Sequence, residues 1–383
     1  MPIITKKKIG IALDMCGCPN RCRHCYLGHG SNHRLSDDDL RWMASQFRHY
    51  LETTDTAIDS LSVSSYFREP DYSVDYRHLY ELEQELSDGK PERHELLSVW
   101  RLAHDEGYPA WAKSVGPQTC QITFFGMEEA NDWFYQRKGA FRDALTATER
   151  LLEVGMRPRW QIFLTRKLLP DIDDLLRLID RLRLRQRLQD LGSEFQLFMH
   201  TPGPDHEGRK IEYLRPTAEE MVSLPREILE ASRRHFGRQT LWQPESELYD
   251  SIMEKDIAIP TDEGILSEPS MFWFFMTNNW DVFSNVGTLE PWWKLGNMKS
   301  DSINTIMRRF EGDEIPGLDV LLHYPQSKLA EEYGDPQGNR IYSSKGDLLS
   351  LYHARYCERS WYNNMQLPMN GTKSPLLNRK PFM

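Results

Sequence analysis

Cysteine is scarce in this chain, with six in 383 residues. Long apolar runs are missing too: no stretch approaches the roughly 20 residues that span a bilayer, so no membrane partner is expected. Basic charge is in deficit, at 47 Lys and Arg against 57 Asp and Glu, a formal net charge of -10. Broad binding to a phosphodiester backbone needs the opposite balance, so no nucleic acid partner is expected. There is no low-complexity tract and no repeat at solenoid period. The opening "MPIITKKKIGIAL" is too short and polar for a secretory signal. These absences point to a reducing cytoplasm, where cysteines serve more often as metal ligands or catalytic thiols than in disulfides. What is present is a globular composition, 39% hydrophobic and 11% aromatic, on a chain long enough for a substantial core.

Strand and helix signals alternate up to about residue 237. Residues 7–14 read as a strand. "SDDDLRWMASQFRHYLE" opens on Ser36 with acidic residues in its first turn, the signature of a helix start. Residues 59–67 alternate as a strand. Two helical stretches follow, then "PAWAKSV" as a short strand and 119–126 as a strong one. Residues 138–155 form an amphipathic helix ending at Gly155. "RWQIFLT" is a strand, "PDIDDLLRLIDRLRLRQRLQDLG" one helix, "EFQLFMH" a strand and "TAEEMVSLPREILEASRRHF" a further helix. Strand-then-helix repetition calls for parallel strands joined by crossover helices, hence an α/β sheet or barrel with its chemistry at the carboxyl ends of the strands. After residue 240 aromatics crowd and helix signals thin, which sets a boundary there.

Four of the six cysteines fall within "CGCPNRCRHCY", residues 16–26. Cys18, Cys22 and Cys25 have the spacing C-x3-C-x2-C directly after the first strand. Zinc sites take four ligands, as does a [4Fe-4S] cluster. Three thiolates on one loop can grip one face of a cluster and leave one iron for a non-protein ligand. The competing reading is a zinc loop drawing on Cys16, Cys18, Cys22 and Cys25 or on His24, His29 or His33. Cys16 lies two residues ahead of the motif and reads as a bystander.

"CPNRCRHCY", with aromatic Tyr26 after the third cysteine, resembles the radical SAM superfamily signature. The similarity extends along the chain to the SPASM/twitch-type branch. The resemblance implies an α/β fold, a partial (β/α)6 TIM-like barrel over residues 1–240 carrying a [4Fe-4S] cluster on Cys18, Cys22 and Cys25, with a small C-terminal α+β extension over 241–383. It implies that the open iron chelates S-adenosylmethionine, whose reductive cleavage yields a 5'-deoxyadenosyl radical that abstracts hydrogen. An electron donor of flavodoxin or ferredoxin type is the implied partner.

Position by position, Glu69-Pro70 stands where the family has a Gly-Gly-Glu-Pro turn that binds the SAM amino group, with Phe67 and Arg68 replacing the glycines. Gly126, Asp132, Arg137, Gly139 and Phe141 follow the cadence of the fourth strand and helix of the peptide-modifying branch. Thr123 there implies a hydroxyl contact to SAM, and Arg137 a grip on its carboxylate. Gln161 and His200 fall at or near the barrel lumen as substrate-side or SAM-side candidates, or as satisfied core polar groups. The alternating Arg181, Arg183, Arg185 and Arg187 read as solvated surface.

"TNNWDVFSNVGTLEPWWKLGNMKSDSINTIM" has the rhythm of the SPASM or twitch module, but Ser284 or Asn285 holds the cysteine position. Only Cys120 and Cys357 remain beyond the first cluster, too few for a second, so the module is degenerate and lacks an auxiliary cluster. A redox-neutral outcome (rearrangement, elimination or epimerisation) follows as the expectation. Cys357 is the candidate hydrogen donor for an epimerisation, against an ordinary core cysteine; Cys120, at the start of its strand, is structural. Few residues precede the first strand, so no separate leader-peptide domain is expected ahead of it. The expected substrate is therefore a small natural-product intermediate, a sugar, nucleoside or amino-acid-like molecule, with a ribosomal peptide as the alternative. Trp273, Trp280, Trp292 and Trp293 could wall its pocket or simply fill the core.

Overall fold

The computed structural model describes residues 8–14, 17–54, 60–65, 68–91, 93, 95–254, 272–284 and 288–365. Cys16, Phe67 and Asn285 lie outside these. Ten strands are present among the described residues: β1 (Lys8–Leu13), β2 (Ser60–Ser64), β3 (Thr119–Phe124), β4 (Arg157–Phe163), β5 (Leu197–His200), β6 (Gln243–Pro244), β7 (Phe272–Met276), β8 (Asp281–Ser284), β9 (Lys294–Asn297) and β10 (Ile341–Tyr342).

Two sheets carry the molecule. The first has the order β2-β1-β7-β8-β9, and the second is β3-β4-β5. β1 is central to the first. It pairs parallel with β2 from Lys8↔Ser60 to Ala12↔Ser64, and parallel with β7 from Ile9↔Phe272 to Leu13↔Met276. A strand flanked on both sides needs apolar residues throughout, and "KIGIAL" meets that need: Ile9, Ile11, Ala12 and Leu13 are all buried. The second sheet is wholly parallel, in register from Thr119↔Arg157 and from Trp160↔Leu197.

The two sheets are not joined by a ladder. The segment after the helix Tyr76–Leu86 meets the edge of each instead. Asp88 exchanges two bonds of 2.8 Å with the backbone of Leu61 in β2, and Gln121 of β3 donates to the Glu95 carbonyl at 2.7 Å. The fold is thus mixed α/β, with five parallel strands before residue 240 in two sheets; the partial six-stranded barrel expected does not stand out as one sheet among the described residues. The further parallel strand, β7, comes from beyond residue 240. β6 pairs antiparallel with β10 and not with the barrel strands.

Three local expectations are corrected. "PAWAKSV" belongs to the helix Tyr108–Ser114, not a strand: Pro109 sits in the first turn, where it costs no hydrogen bond, and Trp111 packs on Tyr76 at 4.6 Å. The single helix expected near 170–192 is two, Ile172–Arg181 and Leu184–Asp190, broken by the left-handed backbone of Arg183 (φ 52°). The helix expected over residues 217–236 begins only at Arg226, after Pro225, with a separate 3-10 turn at Glu220–Ser223 ahead of it.

One core cluster takes Ile9, Leu61, Phe274, Phe310, Tyr352 and Cys357 together, so residues beyond 240 share the hydrophobic core of β1 and β2. Trp280, Trp292 and Trp293 are buried in it, in line with a packing role. β7, β8 and β9 form successive antiparallel pairs, with Ser284 opposite Phe274 and Gly296 opposite Val282. Ser302 caps the following helix, Ile303–Glu311, through the Thr305 N–H. A second cluster, centred on Trp160, Phe124 and Ile162, packs the helix Ala140–Glu153 against β3 and β4. Among the described residues no helix is long and apolar enough to cross a membrane.

Candidate active site

The loop that leaves β1 carries Cys18, Cys22 and Cys25, and backbone bonds anchor it at several points. The helix Glu128–Tyr135 ends with four carbonyls that its own turns cannot satisfy. Arg137 N–H reaches Asp132 (3.2 Å) and Gln136 N–H reaches Trp133 (3.3 Å). The other two are met by the cysteine loop, through Arg23 N–H to Phe134 (2.8 Å) and Arg21 N–H to Tyr135 (3.2 Å). The loop therefore serves as the cap of that helix. At its other end, Glu207 N–H donates to the Cys25 carbonyl at 3.3 Å. Gly28 has φ +69°, and a Cβ there would stand 3.0 Å from the His206 ring. Only glycine holds this left-handed turn without strain.

Arg68 ties the loop to β1. Its guanidinium donates to both oxygens of Asp14, the residue after β1, at 3.0–3.1 Å, and to the carbonyls of Gly30 (3.0 Å) and Ser31. Both partners are nearly dry, with side chains 3% and 4% exposed. Sequence reasoning treated Arg68 only as a departure from a glycine turn and so missed this clamp.

The three thiols line one cavity of about 400 Å³, together with Glu69, Thr123, Gln121, Tyr135 and Trp273. Tyr26 stands at its edge, half exposed. Burial pushes the Cys18 thiol up to about 12, with the Glu69 charge adding to it, and lifts Cys22 and Cys25 as well. These are thiols unless a cation joins them, which is how buried cysteines awaiting a metal behave. The Asn20 N–H points at Cys18 Sγ, at 3.4 Å. Among the described residues no three His, Cys, Asp or Glu side chains stand together at the separation for a single metal ion. What the three sulfurs share is the wall of a chamber of cluster size, and a set of three soft donors fits an iron-sulfur cluster.

Glu69 faces the same cavity. Its Oε1 accepts from Ser98 Oγ (2.8 Å) and the Trp100 N–H (3.1 Å), at the start of the helix Val99–His104. Burial raises its carboxyl, and those two donors and Arg137 pull it back. His24 lies between Cys22 and Cys25 in the sequence, with its ring 4.5 Å from Phe125 and 4.7 Å from Phe163. Burial lowers it to about 3, so it is neutral, and its Nδ1 has no partner among the described residues.

The remaining candidates divide. Thr123 and Gln161 meet across β3 and β4 at 3.2 Å, in a polar ladder continued by Gln121 to Gln161 (2.6 Å) and Arg159 to Gln121 (3.1 Å). Arg137 is committed to Asn20 Oδ1 at 2.6 Å and to Asp143 at 2.7 Å, and does not line the cavity. It holds the loop, while Asp132 caps the next helix through the Gly139 and Phe141 N–H groups. His200 ends β5 with Nδ1 on the Thr201 carbonyl at 2.5 Å, also off the cavity wall. Cys357 lies in the other core, 3.9 Å from the His353 ring, and Cys120 is wholly buried in β3. The structure brings neither to the three cysteines.

A scan of the sequence against protein-family models finds no match. A search of curated proteins finds none either. Solved structures do match. Hexahistidine-tagged anSMEcpe with bound AdoMet is 11% identical, covering 94% of this chain and 96% of that one, with a TM-score of 0.51. Native anSMEcpe with bound AdoMet and Cp18Cys peptide is 12% identical over 94% and 100%, at 0.47. Streptococcus suis SuiB bound to precursor peptide SuiA is 12% identical over 85% and 67%, at 0.45. Identity this low speaks to architecture alone: the chain shares the fold of anSMEcpe, a protein solved with bound AdoMet.

Proposed function

We propose that this chain is a radical SAM enzyme that abstracts hydrogen from a residue of a peptide. The observation that carries the reading is the convergence of Cys18, Cys22 and Cys25 on one cavity that Glu69 and Thr123 also line. Cys18, Cys22 and Cys25 would hold a [4Fe-4S] cluster with one iron left open, and that group would supply the one-electron reduction that splits S-adenosylmethionine into methionine and a 5'-deoxyadenosyl radical.

The protein's share is placement. The cap on the helix Glu128–Tyr135 and the Arg68 clamp hold the loop at both ends. Glu69, fixed through Oε1, is the acid for the amino group of the methionine moiety. Thr123 and Gln121 offer polar contacts beside it. Arg137 acts through Asn20 as a positioning residue, in place of the carboxylate contact the resemblance implied. An electron donor of flavodoxin or ferredoxin type remains part of the proposal. So does a redox-neutral outcome, since the other described cysteines lie in separate cores.

On substrate, the peptide alternative now stands ahead of the small natural product. The protein anSMEcpe, whose AdoMet-bound form shares this chain's architecture, has also been solved with a peptide. The test is anaerobic reconstitution. The expected protein is brown, with about four irons per chain, and cleaves S-adenosylmethionine. Alanine at Cys18, Cys22 or Cys25 removes both properties. A colourless protein with one zinc sinks the reading. For the substrate, candidate peptides and aminosugars are compared for stimulated 5'-deoxyadenosine release.

A further inference from the structure

The segment that supports Cys25 through Glu207 also reaches, through Asp205, a second cavity of about 320 Å³. Nothing in the proposed chemistry uses it. Its walls are mostly apolar: the aromatic rings of Trp293, Tyr324 and His353, and aliphatic side chains of the helices Pro316–His323 and Gln326–Tyr333. Asp205 is the one carboxylate among its described walls, and no Lys or Arg is among them.

The nearby Arg209 is already held by Glu290 at 2.6 Å, with Glu358 at 3.6 Å. Glu290 and Asp347 add further negative charge around Asp205. His353 supplies no positive charge: burial keeps the ring neutral, outweighing the opposite pull of the Gly317 carbonyl that its Nε2 meets at 3.0 Å. Thr288 is 9% exposed, and its Oγ1 has no hydrogen-bond partner among the described residues.

A desolvated carboxylate among aromatic faces is costly alone and is relieved by a cation. An anion would be repelled, and a neutral apolar guest would leave the carboxylate dry. We propose that this cavity binds an organic ammonium group carried on an apolar body, the ammonium meeting Asp205 and Thr288 and the body lying on Trp293 and Tyr324. The ammonium can belong to a free amine or to a lysine side chain of a peptide. This site is separate from the cysteine cavity and does not depend on its chemistry.

The test is calorimetric titration of the full-length protein with phenethylammonium, and with phenethyl alcohol as its neutral counterpart. Phenethylammonium binds, and the alcohol binds at least about tenfold more weakly. Asp205→Asn weakens the amine by a similar factor. Ser350→Trp, at the exposed rim, blocks it without touching the core, and covers the case in which Asp205→Asn fails to fold. The triple variant with alanine at Cys18, Cys22 and Cys25 still binds, which excludes the first cavity. Acetyl-Ala-Lys-Ala-amide is titrated beside the same peptide with norleucine for lysine. Tighter binding of the lysine peptide than of the free amine marks a peptide as the source, and the reverse marks a small molecule. Equal binding by the alcohol, by the norleucine peptide or by the Ser350→Trp protein, or no binding by either amine, overturns the proposal.

Discussion

Replacing Arg68 by methionine keeps most of the side chain's bulk and removes the only group that neutralises Asp14 among the described residues. Both residues are nearly inaccessible, so solvent screens the loss little. Removing one member of a buried ion pair leaves a stranded charge, at a cost of about 3–5 kcal/mol. The carbonyls of Gly30 and Ser31 also lose their donor. Burial already lifts the Asp14 carboxyl above its ordinary range, with Arg68 pulling it down. In the variant that pull is gone, and the folded-state value rises further. Below about pH 4, Asp14 is neutral in both folded and unfolded chains, so the deficit is smallest there. As pH rises, the unfolded chain ionises before the folded one, and the deficit widens to its full size near neutrality. Urea unfolding at pH 4.5 and 7.5, compared with wild type, reads this directly. Asp14→Asn in the Arg68→Met background restores much of the loss. A cost under about 1 kcal/mol, a deficit independent of pH, or a double variant no better than the single one would refute the clamp.

Other perturbations separate ligation, positioning and packing. Glu69→Gln retains an acceptor for Ser98 and Trp100, so iron content stays at the wild-type level while affinity for S-adenosylmethionine falls by about tenfold or more; equilibrium dialysis checks it, and an unchanged affinity removes Glu69 from the site. Gly126 has φ +141°, and a Cβ there would stand 2.6 Å from Asp171 Oδ2, so Gly126→Ala costs more than about 1 kcal/mol in urea unfolding. Trp160→Ala empties the centre of the second core at about 3–5 kcal/mol and lowers the melting temperature without changing the iron bound per folded chain. Burial lifts Asp205 to about 7, so its folded form is neutral over a range where the unfolded chain is ionised. Wild-type stability therefore falls from about pH 4 to 7 relative to Asp205→Asn, and parallel pH profiles of the two proteins would show that the carboxyl is not buried as described.

The cysteine spacing was legible because three ligands on one loop are a local pattern, and β3, β4 and β5 were legible because each is a short apolar run followed by an amphipathic helix. The breaks at Arg183 and Pro225 were harder. A left-handed residue inside a continuous helical periodicity leaves no mark in the apolar pattern, while Pro225 was visible and was absorbed into a helix it in fact precedes. "PAWAKSV" misled because an alternation of small and aromatic residues resembles a strand. Its helicity comes from packing on Tyr76, a contact made across 35 residues of sequence.

What the sequence concealed most fully is pairing between distant segments. β7 joins β1 in parallel, with Phe272 set opposite Ile9 from the far end of the chain, and no local periodicity encodes such a partner. "MFWFFM" shows only that both faces are buried, which a core helix would also satisfy. The Arg68–Asp14 clamp is of the same kind. Once β1 and β2 are known to be parallel, with Ala12 opposite Ser64, the residues just beyond their carboxyl ends must emerge side by side. Asp14 and Arg68 are then opposite charges at one mouth, where burial makes an unpaired charge intolerable. The pairing turns an apparent loss of a glycine turn into the device that fastens the cysteine loop. It also accounts for the loop keeping its place without the glycines that the resemblance implied: a buried guanidinium on a carboxylate and two carbonyls holds it.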